Sequence, residues 1–197
     1  MSAVLPDGFR VDLIERPSGN QISFVSYSTP PVRRADLDRI QFYIPYTSVD
    51  ARTAASAPAD AIWCDVSQSP LSYYGALRSW WAKGADFVVL EHDVVCRPDV
   101  VEAFENCPEP WCVFGYADIC HPHCMEAWRN ELGCTRFRAE LIRAVPDALD
   151  GTPLGNNGLP ITWDWKNLCD GLGNNLRAKN YTHHWHYPAV EHHHRLP

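Results

Sequence analysis

The stretch Phe87-Val88-Val89-Leu90-Glu91-His92-Asp93-Val94 decides how the chain is read. Four apolar residues run into an acidic pair, with Gly84 before and Pro98 after. A short apolar run between breakers suits a strand buried on both faces of a mostly parallel sheet, although periodicity alone leaves a buried helical turn open. In extended backbone Glu91 and Asp93, two apart, point to one side. Ligands of open α/β sheets gather at the carboxyl ends of strands, where this pair falls. Two carboxylates there can hold a hard divalent cation, and the cation a diphosphate; as a bare strand end they need do no more than solvate it.

The 197 residues suffice for one sizeable core and are few for two. A net charge of −7 argues against a broad electrostatic grip on nucleic acid, leaving only a local basic face open. No apolar run approaches the ~20 residues of a membrane span, and the start of the chain lacks a basic-then-apolar leader, which points to the cytoplasm. Without such a leader, the eight cysteines read as buried thiols or metal ligands rather than a disulfide framework. Cys120-His121-Pro122-His123-Cys124, with Cys112 and Cys134, is a candidate structural zinc site, although no second clean ligand pair follows.

Working outward, Met1 to Asn20 reads as an edge hairpin or arm, and Gln21 to Ser28 alternates as a first core strand. Gln41 to Ile44 reads as a strand closed by Pro45, Asp50 to Asp60 as a loop or short helix, and Ala61 to Asp65 as a third strand. Leu71, Tyr74, Leu77, Trp80 and Trp81 have helical spacing, and Gly84 stops that helix. Pro98 suits the first turn of a helix through Phe104, followed by a strand at Trp111 to Gly115. Further helices are expected around 125–131, over 138–144 and from Trp163 to Leu172, ending near Gly173. Asp150 to Pro160 has the composition of a loop, and the His-rich tail from Tyr181 reads as a last strand.

Gly84-Ala85-Asp86-Phe87-Val88-Val89-Leu90-Glu91-His92-Asp93-Val94, followed by Arg97-Pro98-Asp99, resembles the centre of GT-A-fold, nucleotide-sugar-dependent glycosyltransferases. There a helix rich in small and aromatic residues passes through a glycine into an apolar strand. The strand ends in a DXD motif, here Glu-His-Asp, and a proline-started helix follows. By order of elements the resemblance spans Gln21 to His194, and it implies one α/β domain with a mostly parallel sheet. Residues 21–94 would bind the nucleotide-sugar and 95–197 the acceptor.

It further implies roles for particular residues. Ser26 and Tyr27 would open the nucleotide pocket, Asp65 would contact base or ribose, and Tyr73, Tyr74 and Arg78 would flank the diphosphate. Tyr73 and Tyr74 equally suit the core of an amphipathic helix. Asp93 would be the main ligand of Mn²⁺ or Mg²⁺, with Glu91 supporting through water or the ribose and His92 beside it on the donor. The third ligand would be His192, with His184 and His186 in reserve. Asp164, in Thr162-Trp163-Asp164-Trp165, would be the base of an inverting transfer, or else a first-turn acid favoured by a helix dipole. Leu132 to Phe137 would form the acceptor-side glycine segment, and Gly151 to Gly158 a lid.

The acceptor hydroxyl, on a glycan, small molecule or modified nucleic acid base, stays open, as does a homodimer. Arg129, Arg136, Arg138 and Arg143 are candidates for one basic face. Two rival readings remain: a zinc-stabilised binding module without catalysis, and a metal-dependent nuclease or phosphohydrolase using Asp93 with the histidine cluster.

Overall fold

The computed structural model describes residues 2–4, 10–14, 22–26, 40–118, 132–152 and 166–193. The backbone divides into two units, 1–36 and 37–197. In the first, β1 (Ser2–Val4), β2 (Arg10–Ile14) and β3 (Ile22–Ser26) form an antiparallel three-stranded sheet in sequential order. The expected first core strand, Gln21 to Ser28, is thus the third strand of a separate hairpin sheet, paired with Arg10–Ile14.

The second unit runs β4 (Gln41–Tyr46), α1 (Ala51–Ser56), β5 (Ile62–Asp65), α2 (Ser72–Ala82), β6 (Phe87–Leu90) and α3 (Pro98–Asn106). It continues with β7 (Trp111–Asp118), β8 (Cys134–Phe137), α4 (Ala139–Ala144), α5 (Lys166–Ala178) and β9 (His184–His192). Its six strands lie in the order β5-β4-β6-β8-β7-β9. The α/β class is as read from the sequence, but the sheet is mixed rather than mostly parallel. β8 is antiparallel to both β6 and β7, while the β4–β5, β4–β6 and β7–β9 pairs are parallel. A four-residue strand carrying Arg136 has no apolar run or alternation to mark it.

Alternation along the strands splits the core into two faces. Tyr43, Phe87, Val89, Trp111, Val113 and Phe137 pack with Leu77, Trp80 and Trp81 of α2, Leu141 of α4 and Leu172 of α5. Phe42, Ile44, Val88, Leu90, Cys112 and Phe114 face Val100 and Phe104 of α3. Covered on both faces, β6 can carry no polar residue until it ends, which is why it reads as an unbroken apolar run. On the α2 face the aromatic rings interlock: Tyr43 stacks on Trp80 with centroids 4.5 Å apart, and Trp81 meets Phe137 edge-on at 5.2 Å. The Trp81 indole N–H donates to the Val145 carbonyl at 3.0 Å, so its polar end is satisfied inside the core.

Two breakers behave differently from expectation. β4 continues through Pro45 to Tyr46. The Tyr46 carbonyl accepts from Val66 N–H on the β5 side, so Pro45, of opposite parity, turns toward β6. Pairing with β6 has already ended at Tyr43, so the missing N–H costs no ladder bond. α5 runs through Gly171 and Gly173 to Ala178 instead of ending at Gly173. Gly171 permits a close approach, since an added Cβ would lie 3.1 Å from the Thr152 side chain. The helix stops at Asn180, with φ of 67°, where Tyr181 N–H donates to Leu176 O at 3.0 Å. Gly84 does end the α2 segment, at φ of 66°, and Pro98 does open α3.

Phe87 lies at the centre of the aromatic cluster and is 2% exposed. Phe87→Ala should cost about 3–5 kcal/mol in urea unfolding, a large-to-small loss with little room for collapse. His183, packed on Trp111 at 4.9 Å, has its pKa lowered by burial and secondarily by Arg177. The unfolded chain therefore takes up this proton first as pH falls through the ordinary histidine value of ~6.5, and stability is lost down to the depressed folded value. His183→Gln should shrink the drop in melting temperature between pH 7.5 and pH 5.

Candidate metal centre

β6 ends at Leu90, and Glu91 to Val94 form a turn closed by Val94 N–H donating to Glu91 O at 3.1 Å. Glu91 and Asp93 are therefore brought together by a turn rather than by extended alternation. Glu91 continues the parity of Phe87 and Val89 toward α2, and Tyr73 of α2 donates its phenol to Glu91 Oε1 at 3.2 Å. Burial, then the charge of Glu91, pushes the Tyr73 phenol far up, so it stays a neutral donor. Glu91 N–H donates to the Gly133 carbonyl at 2.8 Å, tying the turn to the entry of β8.

The other side of the site comes from β9. His193 N–H donates to Asp93 O at 2.8 Å and Val95 N–H to Glu191 O at 3.0 Å, clasping the turn against the end of the last strand. These bonds place His192 Nε2 at 3.4 Å from Asp93 Oδ1. Glu91, Asp93 and His192 each offer one ligand atom within 4.8 Å of the others. Asp93 and His192 are largely buried, with side chains 16% and 7% exposed, while Glu91 is half-buried. The Tyr116 ring stacks on His192 with centroids 4.3 Å apart and planes 17° apart, which sets the imidazole orientation.

A register shift between β7 and β9 makes this alignment possible. Phe114 pairs with His186, but Tyr116 pairs with Val190, so β9 holds extra residues around Pro188. Arg97 donates to the carbonyls of Ala189 at 2.8 Å and Pro188 at 3.1 Å, and also grips Asp99 through both carboxylate oxygens. The Arg-Pro-Asp segment after the acidic pair thus satisfies backbone groups that the irregular ladder leaves open.

Of the expected site residues, Glu91, Asp93 and His192 come together. Asp65 ends β5 on the same edge of the sheet, its carboxylate held below the usual range by Ser67, whose N–H donates to it at 2.8 Å. Two strand spacings put β5 about 10 Å from β6. His92 stands in the turn, its carbonyl accepting from Asp50 N–H at 3.4 Å. Tyr74 and Arg78 sit beside each other, with the guanidinium carbon 5.8 Å from the ring centroid. Arg78 lines a cavity of about 350 Å³ with Trp81, Arg143, Leu149 and Asp150, toward the opposite end of α2 from Tyr73.

Ser26 closes β3 of the first unit, and Tyr27, Asp164, Cys120–Cys124 and most of the 151–158 loop lie outside the described residues. The reserve ligands His184 and His186 belong to the earlier part of β9, before the register shift. Arg136 does not join a basic face, because it is fully buried on the α3 side of β8. Among the described residues no helix is long and apolar enough to cross a membrane.

Sequence reasoning did not assign Tyr116 to the site, and it took Gly133 for an acceptor segment. A Cβ on Gly133 would lie 1.4 Å from Tyr116 Oη and 2.8 Å from Glu91 Oε2. The available signal was a glycine directly before a buried strand, a mark of close approach.

No family model matches the chain, and no curated protein and no solved structure matches it.

Gly133→Ala should destabilise the fold by about 1–3 kcal/mol in denaturant titration, through displacement of Tyr116 and Glu91. The same variant should bind Mn²⁺ about 10–100-fold more weakly, as expected when groups that orient ligands move.

Proposed function

We propose that the chain is a metal-dependent glycosyltransferase of GT-A type that moves a sugar from a nucleotide-sugar donor to an acceptor hydroxyl. The observation that carries this reading is the convergence of Glu91 and Asp93, after a central buried strand, with His192 from the last strand. An acidic pair at that point and a histidine from the closing strand are what the resemblance requires.

Two carboxylates and an imidazole suit Mn²⁺ or Mg²⁺ better than a soft ion. When bound, such an ion supplies Lewis-acid stabilisation to a diphosphate leaving group. Asp93 and His192 hold the ion, and Glu91, oriented by the Tyr73 phenol, completes the acidic side. Asp65, on the same edge about two strands away, is in place to receive the ribose or base of an extended donor. Asp164 takes the proton from the acceptor hydroxyl, with inversion at the anomeric carbon. The acceptor is a glycan, a small molecule or a modified nucleic acid base, and a second copy of the chain is a candidate partner in completing the acceptor side.

The test is thermal stability against UDP-, GDP-, TDP- and CMP-linked nucleotides, with and without Mn²⁺, for wild type and Asp93→Asn. A nucleotide at a hundredfold excess over its dissociation constant should stabilise wild type by ~2.7 kcal/mol, only with metal, and leave Asp93→Asn unmoved. No shift with any nucleotide would overturn the reading. Hydrolysis of plain phosphodiesters by the same residues would replace it with that of a phosphohydrolase.

A further inference from the structure

A second cluster of ligand-type side chains lies away from the acidic turn, where α3 meets the beginning of β7 and the earlier part of β9. Cys107 follows α3, Cys112 is the second residue of β7, and His186 pairs in register with Phe114. One donor atom from each lies within 4.8 Å of the other two. Both thiols are buried, at 6% and 0% exposure.

Buried cysteines alone are common in cores and signify nothing. The histidine changes the case. His186 stacks on Phe114 with centroids 4.9 Å apart and meets Phe104 edge-on at 6.0 Å, so apolar rings hold its orientation. Its Nε2 is buried, with no hydrogen-bond partner among the described residues. Orphaned buried imidazole nitrogens are costly, and this one belongs to a residue already grouped with two thiols.

A buried guanidinium stands beside the two thiols. Arg136 of β8 is buried beside its register partner Cys112 of β7, and its guanidinium donates to the Cys107 carbonyl at 3.0 Å. No carboxylate among the described residues pairs with Arg136, whose guanidinium is held by the main-chain carbonyls of Phe104, Cys107 and Glu109. Without a cation, burial holds Cys112 protonated, pushed up to about 12, with Arg136 pulling the other way. The Cys107 backbone is fixed from three directions. Its N–H donates to Ala103 O at 3.0 Å, and its carbonyl accepts from both Arg136 and Arg138.

We propose that Cys107, Cys112 and His186 form a second metal site, which takes a thiophilic divalent ion of the Zn²⁺ class. Each bound thiol loses its proton to solvent, and the two thiolates neutralise the ion. In a tetrahedral zinc site, with Zn–S of ~2.3 Å and Zn–N of ~2.0 Å, donor atoms lie about 3.5–3.8 Å apart. From separations within 4.8 Å, the donor atoms therefore need to draw together by no more than about 1.3 Å. The remaining coordination position falls to water, on the side where the exposed His184 ring lies 4.8 Å from that of His186. The ion would pin the end of α3 to both β7 and β9. This site shares no residue with the acidic centre, so it stands or falls separately from the proposed transferase activity.

The experiment loads EDTA-treated protein with Zn²⁺ or Co²⁺ and compares wild type with Cys112→Ala, His186→Ala and Cys120→Ser/Cys124→Ser. The expected result is one tightly held equivalent in wild type and in the Cys120/Cys124 variant, with thiolate-to-cobalt charge-transfer absorption. Cys112→Ala should lose that absorption. His186→Ala should weaken binding by more than the ~10–100-fold that loss of an outer partner costs, with an unchanged circular dichroism spectrum. His186 is half-buried on an edge strand, so this variant decides the matter if Cys112→Ala fails to fold. Absence of charge transfer in wild type, equal affinity in His186→Ala, or a Cys107–Cys112 disulfide in the purified protein would each overturn the proposal.

Discussion

Two backbone hydrogen bonds hold the arrangement together: His193 N–H to the Asp93 carbonyl, and Val95 N–H to the Glu191 carbonyl. They join the turn after the central strand to the end of the last strand, although β8 and β7 separate those strands within the sheet. His192 lies between the clasped residues Glu191 and His193, so the main chain holds the imidazole and the Asp93 carboxylate on facing segments. The Arg97 side chain reinforces this by filling the carbonyls of the irregular ladder at Pro188 and Ala189. Placing the site on strand ends rather than on a free loop limits its movement, as preorganised ligand sets require.

The sheet beneath supplies the rigidity. Parallel strands β4, β5 and β6 bring Asp65 and the acidic turn to one edge, and helices on both faces keep water from the apolar run that precedes the turn. The two faces differ in chemistry. The α2 face is an aromatic cluster that ends at Tyr73, and hence at Glu91. The α3 face carries the thiols, the buried Arg136 and His186, a softer and more polar lining. The candidate hard-ion set draws on both faces, Glu91 from the α2 side and His192 with Tyr116 from the α3 side, whereas the Cys107, Cys112 and His186 donors lie on the α3 side alone.

Much of this was legible in the sequence because local chemistry and tertiary structure agreed. The apolar run at Phe87 to Leu90, the helical spacing from Leu71 to Trp81, the Gly84 stop and the Pro98 start each have a local cause that survives in the fold. The acidic pair stood out from its place after the apolar run, but His192 was legible only through the resemblance, since six histidines crowd the tail and no spacing rule chooses among them. What escaped depended on contacts distant in sequence. The antiparallel β8 has no alternation of its own. Pro45 is tolerated only because β6 pairing stops short of it. Gly173 read as a helix end, although α5 runs on to Ala178, and Gly171 within it serves close packing on Thr152. Arg136 read as a surface charge, although three main-chain carbonyls hold it inside.

The central claim is that Glu91, Asp93 and His192 hold one cation. The most direct measurement is pulsed electron paramagnetic resonance of Mn²⁺ bound to protein carrying ¹⁵N-labelled histidine. A directly coordinated imidazole nitrogen should appear in wild type, vanish in His192→Gln and persist in His193→Gln. The absence of any histidine nitrogen coupling in wild type, or its survival in His192→Gln, would contradict the account.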